Sequence, residues 1–473
     1  MTDQTVEKIT EIKTDLARRV MDELDQNVYL CYQCLKCTSG CPVGKFFDYQ
    51  PHQIMRALQF GVEEIALNSE TIWLCASCQT CTTRCPQDLQ IAAIMDFLAQ
   101  EALARGIKPQ IPEADIFARA FMREVHLWGR SYELGMMAEM KLTTGKLLDD
   151  LDLGMKMISK RKFPFLPVPS KPPKKVTPIE TAAESVAYYP GCALHATSPE
   201  FHTSAIAACE AIDLDLVEPK GWVCCGSSAA HRREPEEAIR LPLENLRIIE
   251  QAGFEEVTMP CAACFNRHKA ALYESRKHPE KRKKVEDKLG YLFKDDVAVH
   301  TLSETILRRA GADKVAERVK KPLTGLNVVC YYGCLLTRPP EITEVEHPEN
   351  PTDMDELVSA LGANVLDWSY KTCCCGAAHS LVRPDIVLDL SKRILDEAKK
   401  AGADVIAVAC PLCHTNLDGR QTQMDMDEPV PVMFFTQLLA LGFDLPAKDI
   451  ALNKNLIDPR PLLKEKGLIE KTG

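Results

Sequence analysis

The chain has 473 residues, 46% hydrophobic and 26% charged, a globular composition long enough for about three domains. Its net charge of −10 excludes the basic face that nucleic-acid binding requires. It carries 21 cysteines, no apolar signal-peptide core and no apolar run long enough to span a membrane; this excludes a secreted disulfide scaffold and points to a cytoplasmic metalloprotein.

Residues 1–28 place Val6, Ile9, Ile12, Leu16, Val20 and Leu24 at helical spacing, which predicts an amphipathic N-terminal helix packed on its own domain. The run Cys31-x-x-Cys34-x-x-Cys37-x-x-x-Cys41-Pro42 follows, and it returns as Cys75-x-x-Cys78-x-x-Cys81-x-x-x-Cys85-Pro86. Each has the bacterial ferredoxin spacing for 4Fe–4S cubanes. Three closely spaced thiolates wrap three corners of one cube, and the fourth points away to the other. The first cube is expected to hold Cys31, Cys34, Cys37 and Cys85, and the second Cys75, Cys78, Cys81 and Cys41. Zinc also takes paired cysteines, but eight ligands in two identical runs, each closed by proline, do not suit it. Predicted helices at 52–67, started near Pro51, and at 89–104, stopped at Gly106, make 29–110 a helical ferredoxin domain.

Residues 111–162 read as a helical connector with a methionine cluster (Met122, Met136, Met137, Met140, Met155 and Met157), a residue type that serves cores and contact surfaces alike. Residues 163–184 are a proline-rich, extended and semi-rigid linker.

The remainder is a duplication. A strand-like segment ending at Cys192 leads to the turn Cys224-Cys225-Gly226 and then to Cys261-x-x-Cys264; a second ending at Cys334 leads to Cys374-Cys375-Gly376 and then to Cys410-x-x-Cys413. Thirty-one residues separate Cys192 from Cys224 and 39 separate Cys334 from Cys374; 35 separate Cys225 from Cys261 and 34 separate Cys375 from Cys410. Strand patterns at 216–217, 257–259, 365–366 and 405–408 alternate with helical patterns at 235–252 and 386–401. The alternation predicts α/β domains at 185–322 and 323–445 around mainly parallel sheets, followed by a tail at 446–473. The fold class is thus α+β multidomain, a helical two-cluster ferredoxin domain followed by two tandem α/β repeats. Cys209, Cys330 and Cys373 fall outside the repeated pattern and read as structural. Five sulfurs per repeat exceed what one zinc ion or one cubane takes, so spacing alone leads to an unusual iron–sulfur site.

The twice-present pattern resembles the CCG domains of the heterodisulfide reductase B subunit. The front, from about residue 10 to 150 and including Cys31-Tyr-Gln-Cys34, resembles the C subunit. The whole is similar to a C–B fusion, the arrangement of the D subunit. This resemblance implies a non-cubane 4Fe–4S cluster on Cys192, Cys224, Cys225, Cys261 and Cys264, and another on Cys334, Cys374, Cys375, Cys410 and Cys413. It implies reduction of a small-molecule disulfide between them, fed by the two cubanes. No Gly-x-Gly-x-x-Gly nucleotide fingerprint is present, so flavin or nicotinamide is expected in a partner: a flavoprotein resembling the family's A subunit, with or without a hydrogenase or dehydrogenase module. Iron–sulfur subunits of glycolate oxidase and anaerobic glycerol-3-phosphate dehydrogenase share the layout, which keeps open an electron-transfer role with no substrate of its own, at the membrane through a partner. His231, His379, His195, His268 and His414 lie near the cysteines and titrate in a useful range; each serves equally well as a loop brace, and none is assigned a catalytic role.

Overall fold

The computed structural model describes residues 14–179, 185–424, 426 and 428–470; Val6, Ile9 and Ile12 of the expected N-terminal helix, and the last residues of the expected linker, lie outside them. The chain divides into two compact units, Met1–Asp115 and Ile116–Gly473.

The first unit has no strand among its described residues. Its central helix, Ile91–Ala104, is apolar on nearly every side and buries ten residues. Helix Asp15–Leu24 turns Leu16, Ala17 and Val20 inward and packs on it. The helix expected at 52–67 is two, Pro51–Gln59 and Glu63–Asn68, because Gly61 takes a φ of +66° and reverses the chain.

The second unit holds two four-stranded sheets of the same order. Strands β1 (Val186–Tyr188), β2 (Leu216–Val217), β3 (Glu256–Met259) and β4 (Ala298–Thr301) lie in the order β2-β1-β3-β4. Strands β5 (Asn327–Tyr331), β6 (Asn364–Val365), β7 (Val405–Val408) and β8 (Val432–Phe434) lie as β6-β5-β7-β8. Every pairing is parallel; Ala187 lies opposite Val217 and Val257, and Val328 opposite Val365 and Val405. Val186, Val257, Val328 and Val405 are fully buried, as in sheets covered by helices on both faces.

One core runs through both repeats. Phe201 stacks on Phe434 with centroids 4.1 Å apart, and Ser204 Oγ lies 2.6 Å from Thr436 Oγ1. Residues 447–468 add Leu452, Leu463 and Leu468 to this core. Of the methionine cluster, Met122, Met136, Met140 and Met157 are buried, whereas Met155 is 59% exposed.

Between the repeats lies a buried polar group: Lys162 pairs with Glu200, and His414 and Asp418 stand beside them. The Asp418 carboxylate accepts from the amides of Leu456 (2.6 Å) and Ile457 (2.9 Å). Burial outweighs these donors and Lys162 and pushes its carboxyl up to about 7 from 3.8. The folded state therefore holds this proton more tightly than the unfolded chain. Its contribution to stability is full below the unfolded value and is lost as pH rises through about 7. In urea unfolding between about pH 5 and pH 7.5, the midpoint of the wild type should fall with pH more steeply than that of Asp418→Asn.

Candidate metal centres

The sheet order fixes where a site can form. The chain leaves β1 toward β2 on one side and leaves β3 toward β4 on the other, so a crevice opens at the carboxyl ends of β1 and β3. Cys192 follows β1, Cys224 and Cys225 follow β2, and Cys261 and Cys264 follow β3. In the second repeat Cys334, the pair Cys374 and Cys375, and the pair Cys410 and Cys413 hold the same places after β5, β6 and β7. Cys225 Sγ lies 3.5 Å from Cys264 Sγ, and Cys375 Sγ lies 3.5 Å from Cys413 Sγ. Cys192 and Cys334 are half-buried and the other eight are buried.

In each group one sulfur is lowered while its partners are raised. Hydrogen bonds from Cys224 and Cys264 hold the Cys225 thiol well below its ordinary range, against burial. A hydrogen bond from Cys413 lowers Cys375 in the same way. The donating thiols Cys224, Cys264 and Cys413 are pushed up. A sulfur eased toward its thiolate form beside buried thiols suits a metal donor set.

Local backbone places these donors. Gly191 has φ +71°, and a Cβ there would stand 2.7 Å from Cys264 Sγ; Gly333 has φ +72°, and a Cβ there would stand 3.0 Å from Cys413 Sγ. Gly191→Ala should therefore cost the first group its metal while leaving the other sites loaded, measured as iron per chain; Gly333→Ala should do the same, more mildly, in the second. Tyr189 Oη donates to Val223 O (2.7 Å) and Tyr331 Oη to Cys373 O (2.6 Å), so one buried tyrosine ties each Cys-Cys turn to its first strand. Asn245, fully buried, brackets Val223 by accepting from its amide (2.8 Å) and donating to its carbonyl (3.0 Å). Asn416 donates to Cys375 O at 3.4 Å in the second repeat.

His268 Nδ1 donates to Cys264 O (2.7 Å), which leaves Nε2 to accept from Asn245 at 3.3 Å. It braces the loop, and burial lowers its basicity. His414 stacks on Phe434 with centroids 4.3 Å apart, its Nε2 3.1 Å from Val432 O, and burial with nearby Lys162 pushes its basicity well down. His195 Nε2 lies 3.1 Å from Glu218, and its ring stacks on Trp222. Burial raises the Glu218 carboxyl, but hydrogen bonds from His195 and Trp222 outweigh it and hold the group below its usual range. His231 is half-buried and His379 buried.

Sequence reasoning missed the clamps on the Cys-Cys turns, because they come from distant segments. Gly129 O accepts from the Cys224 amide at 2.8 Å, and Ser170 Oγ donates to Trp222 O at 2.6 Å. The Arg130 guanidinium lies 3.6 Å from the Trp222 ring centroid, a cation–π contact. At the second turn Arg338 donates to Thr372 O (2.9 Å) and Thr372 Oγ1 (2.8 Å).

The two groups are neighbours. The short helix Gly191–Leu194, which carries Cys192, packs on Pro411–His414, which carries Cys413. Asn266, two residues past Cys264, donates to Leu335 O (3.1 Å) and Arg338 O (2.8 Å) in the loop beyond Cys334.

In the first unit Cys41, Cys75, Cys78 and Cys81 line one pocket whose other walls include Phe47, Ile91 and Met95. The last cysteine of the first run thus joins three of the second. Burial pushes the Cys41 and Cys81 thiols up, and their cysteine neighbours add to it. Burial, with Cys31 and Cys34 adding, pushes Cys37 up to about 11. Helix Lys36–Ser39, which carries Cys37, packs on Thr80–Thr83, and Cys85 follows two residues beyond. Both runs bend through left-handed non-glycine residues at matching places, Gln33 and Leu35 (φ 64° and 66°) and Ser77 and Gln79 (φ 47° and 61°). Strain of this kind persists where a site demands it. Cys34 is exposed among exposed Tyr32 and Leu35, whereas Ser77, Cys78 and Thr80 are buried. Among the described residues no three His, Cys, Asp or Glu side chains are arranged to hold a single ion. The donor chemistry, clustered thiols in apolar walls with glycines against sulfur, fits clusters that spread their ligands over several irons.

A helical two-run ferredoxin unit and a twice-built parallel sheet with five cysteines at its strand ends define an iron–sulfur redox protein of the CCG class. Residues 30–90 match the 4Fe-4S dicluster domain, which carries two cubanes, and residues 186–267 and 328–418 match the cysteine-rich CCG domain. The 8-methylmenaquinol:fumarate reductase membrane anchor subunit of Wolinella succinogenes is 32% identical over 285 residues, 58% of this chain and 98% of that protein. The chain belongs to the family of that anchor protein. The B subunit of the ferredoxin:CoB-CoM heterodisulfide reductase of Methanosarcina mazei is 27% identical over 277 residues, 56% of this chain and 92% of that protein. An iron-sulfur C subunit of the CoB–CoM heterodisulfide reductase of Methanocaldococcus jannaschii is 30% identical over 107 residues, 21% of this chain and 57% of that protein.

Proposed function

We propose that this chain is the disulfide-reducing component of a heterodisulfide reductase-type complex, with the C and B subunits fused as in the D subunit. The observation that carries this reading is the completeness of both five-cysteine groups on neighbouring helices and loops. On this reading Cys31, Cys34, Cys37 and Cys85 hold one cubane, and Cys75, Cys78, Cys81 and Cys41 the other. Cys192, Cys224, Cys225, Cys261 and Cys264 hold one non-cubane cluster, and Cys334, Cys374, Cys375, Cys410 and Cys413 its counterpart. When bound, the clusters supply electrons one at a time. Cleavage balances as R–S–S–R′ + 2e⁻ + 2H⁺ → RSH + R′SH. A single electron would release a thiyl radical, and two adjacent cysteine sets, each loaded with a cluster, would allow both halves of the disulfide to be retained until the second electron arrived. Tyr189, Tyr331 and Asn245 hold the turns still, so little reorganisation accompanies each transfer. The electrons come from a flavoprotein partner resembling the family's A subunit, and the exposed loop around Cys34 suits their arrival.

A second reading has one observation in its favour, the 32% identity to a fumarate reductase membrane anchor protein. There the chain relays electrons between a quinone-linked membrane complex and its partner, with no disulfide of its own.

Iron and acid-labile sulfide, counted on protein purified without oxygen, separate these readings when joined to a disulfide assay with an artificial donor. Four clusters predict about 16 iron atoms per chain. About 16 with disulfide turnover supports reduction; about 16 without turnover, or about 12, favours the relay; about 8 means that only the ferredoxin unit binds metal, and both readings of the repeats fall.

A further inference from the structure

The two repeats diverge just past their last cysteine. Cys264 lies in the regular helix Ala262–Lys277, whereas the short helix Pro411–His414, which holds Cys413, runs into a π-helix, Thr415–Gly419. π-Helices are rare and gather at functional sites. This one reaches in two directions. Asn416 Nδ2 lies 3.6 Å from Cys375 Sγ. Asp418, two residues on, turns its carboxylate to the Leu456 and Ile457 amides. A helix with its side chains is about 10 Å across, and about one such width separates this carboxylate from the cysteines. The fifth residue past the last cysteine in the first repeat is Lys269, which pairs with Glu344.

The charges facing Asp418 call for a proton. His414 bridges two carboxylates, with Nδ1 3.8 Å from Glu200 Oε1 and Nε2 3.9 Å from Asp418 Oδ2. Lys162 pairs with Glu200, and all four groups are buried. Lys454, half-buried at the edge of the group, donates to Lys160 O (2.7 Å), and Arg420 turns away to Asp150 (3.0 Å). Two carboxylates thus share one buried ammonium. An unbalanced charge is costly in a dry interior, and neighbouring carboxylates resist ionising together. Asp418 is the group that burial and Glu200 raise. An electron added to the second cysteine set puts negative charge across the helix from it. At about 10 Å within a protein, such a charge strengthens proton binding about tenfold, and the coupling is reciprocal.

We propose that Asp418 is a redox-linked proton site: its carboxylate takes up one proton as one electron, from a low-potential one-electron donor, enters the cluster held by Cys334, Cys374, Cys375, Cys410 and Cys413, and gives the proton back when that electron leaves. Electron and proton together add no net charge to the interior. The inference rests on the metal loading of this set in the reading above and not on the disulfide.

The test is a redox titration of the full-length protein, loaded with metal and kept from oxygen, that follows the spectroscopic signal which Cys375→Ala removes. In the wild type the potential of that signal should fall by about 59 mV in all between about pH 6 and about pH 9, the equivalent of a tenfold change in proton binding for a one-electron couple. In Asp418→Asn, with iron content unchanged, the potential should not vary with pH. Glu200→Gln, which keeps Asp418 and removes the carboxylate that raises it, should keep the fall and move it to lower pH. A wild-type potential independent of pH overturns the proposal, as does a fall that Asp418→Asn retains or that Glu200→Gln leaves in place. With full iron these results overturn this proposal alone; a second set that binds no iron overturns the reading of that set as well.

Discussion

Cys225→Ala is expected to remove one cluster of four: iron should fall from about 16 to about 12 atoms per chain, and disulfide reduction should fall at least about a thousandfold, as when one member of a group acting as a unit is lost. Cys225 stands out because its thiol accepts from Cys224 and Cys264 at once and is the sulfur held lowest in its group. Without it the remaining thiols lose the sulfur to which Cys224 and Cys264 both bond. Cys375→Ala should give the same result in the second repeat, where Cys375 has the corresponding bond from Cys413. The control is Cys209→Ala. Cys209 is fully buried in helix Pro199–Ala211, its thiol pushed up to about 12 by burial, and it lies outside the repeated pattern. Its variant should keep full iron and activity at a modest cost in stability. Equal iron loss in all three variants would sink the five-sulfur assignment.

Lys162→Met should be the most destabilising single change outside the cysteines, by about 3–5 kcal/mol in urea unfolding of the metal-loaded protein. Lys162 and Glu200 are 2% and 0% exposed. The Lys162 ammonium also donates to Thr197 O (3.2 Å), and Glu200 Oε2 is buried without a hydrogen bond. Removing the lysine leaves a dry carboxylate near Asp418, whose own carboxyl is raised by burial and further by Glu200, a rise that Lys162 partly offsets. The pair itself need not be a net gain, because desolvation takes back much of its attraction. Lys162→Met with Glu200→Leu should therefore recover most of the loss. A double variant no better than Lys162→Met would mean that packing of the lysine stem, not the unpaired charge, sets the cost.

The sequence displays its covalent chemistry far better than its supports. The cysteine runs, the duplication and the parallel alternation are local patterns, and the strands they imply at β1, β3, β5 and β7 are present. β4 and β8 escape sequence reading. Ala298–Thr301 includes His300 in a polar setting, and Val432–Phe434 follows Pro429 and Pro431, which read as loop. Each is a strand because a neighbour pairs with it: Thr258 lies opposite His300, and Ala407 opposite Met433. The site supports are hidden for a similar reason. Asn245 lies on a helix with an ordinary apolar pattern, and Arg130 lies more than ninety residues before the tryptophan it covers. No spacing rule connects such pairs. The break at Gly61 is a local feature that the periodicity of Ile54, Leu58, Val62 and Ile65 masks.

The strand order also dictates when each site can be assembled during synthesis. Ala187 pairs with Val257, so the first sheet cannot close until its third strand has left the ribosome, and that strand leads directly to Cys261 and Cys264. Until then Cys192, Cys224 and Cys225 are separate thiols on an open chain. The ferredoxin cysteines and the helix that walls their pocket are complete by Ala104, so that unit can receive its metal while the rest is still being translated. Parallel sheets with distant partners close slowly, and the two five-cysteine sites inherit that delay. On the proposed loading of the five-cysteine sites, oxygen or a mispaired disulfide reaching the nascent chain in this interval would spare the front unit and silence the back one, and late metal insertion would be the vulnerable step.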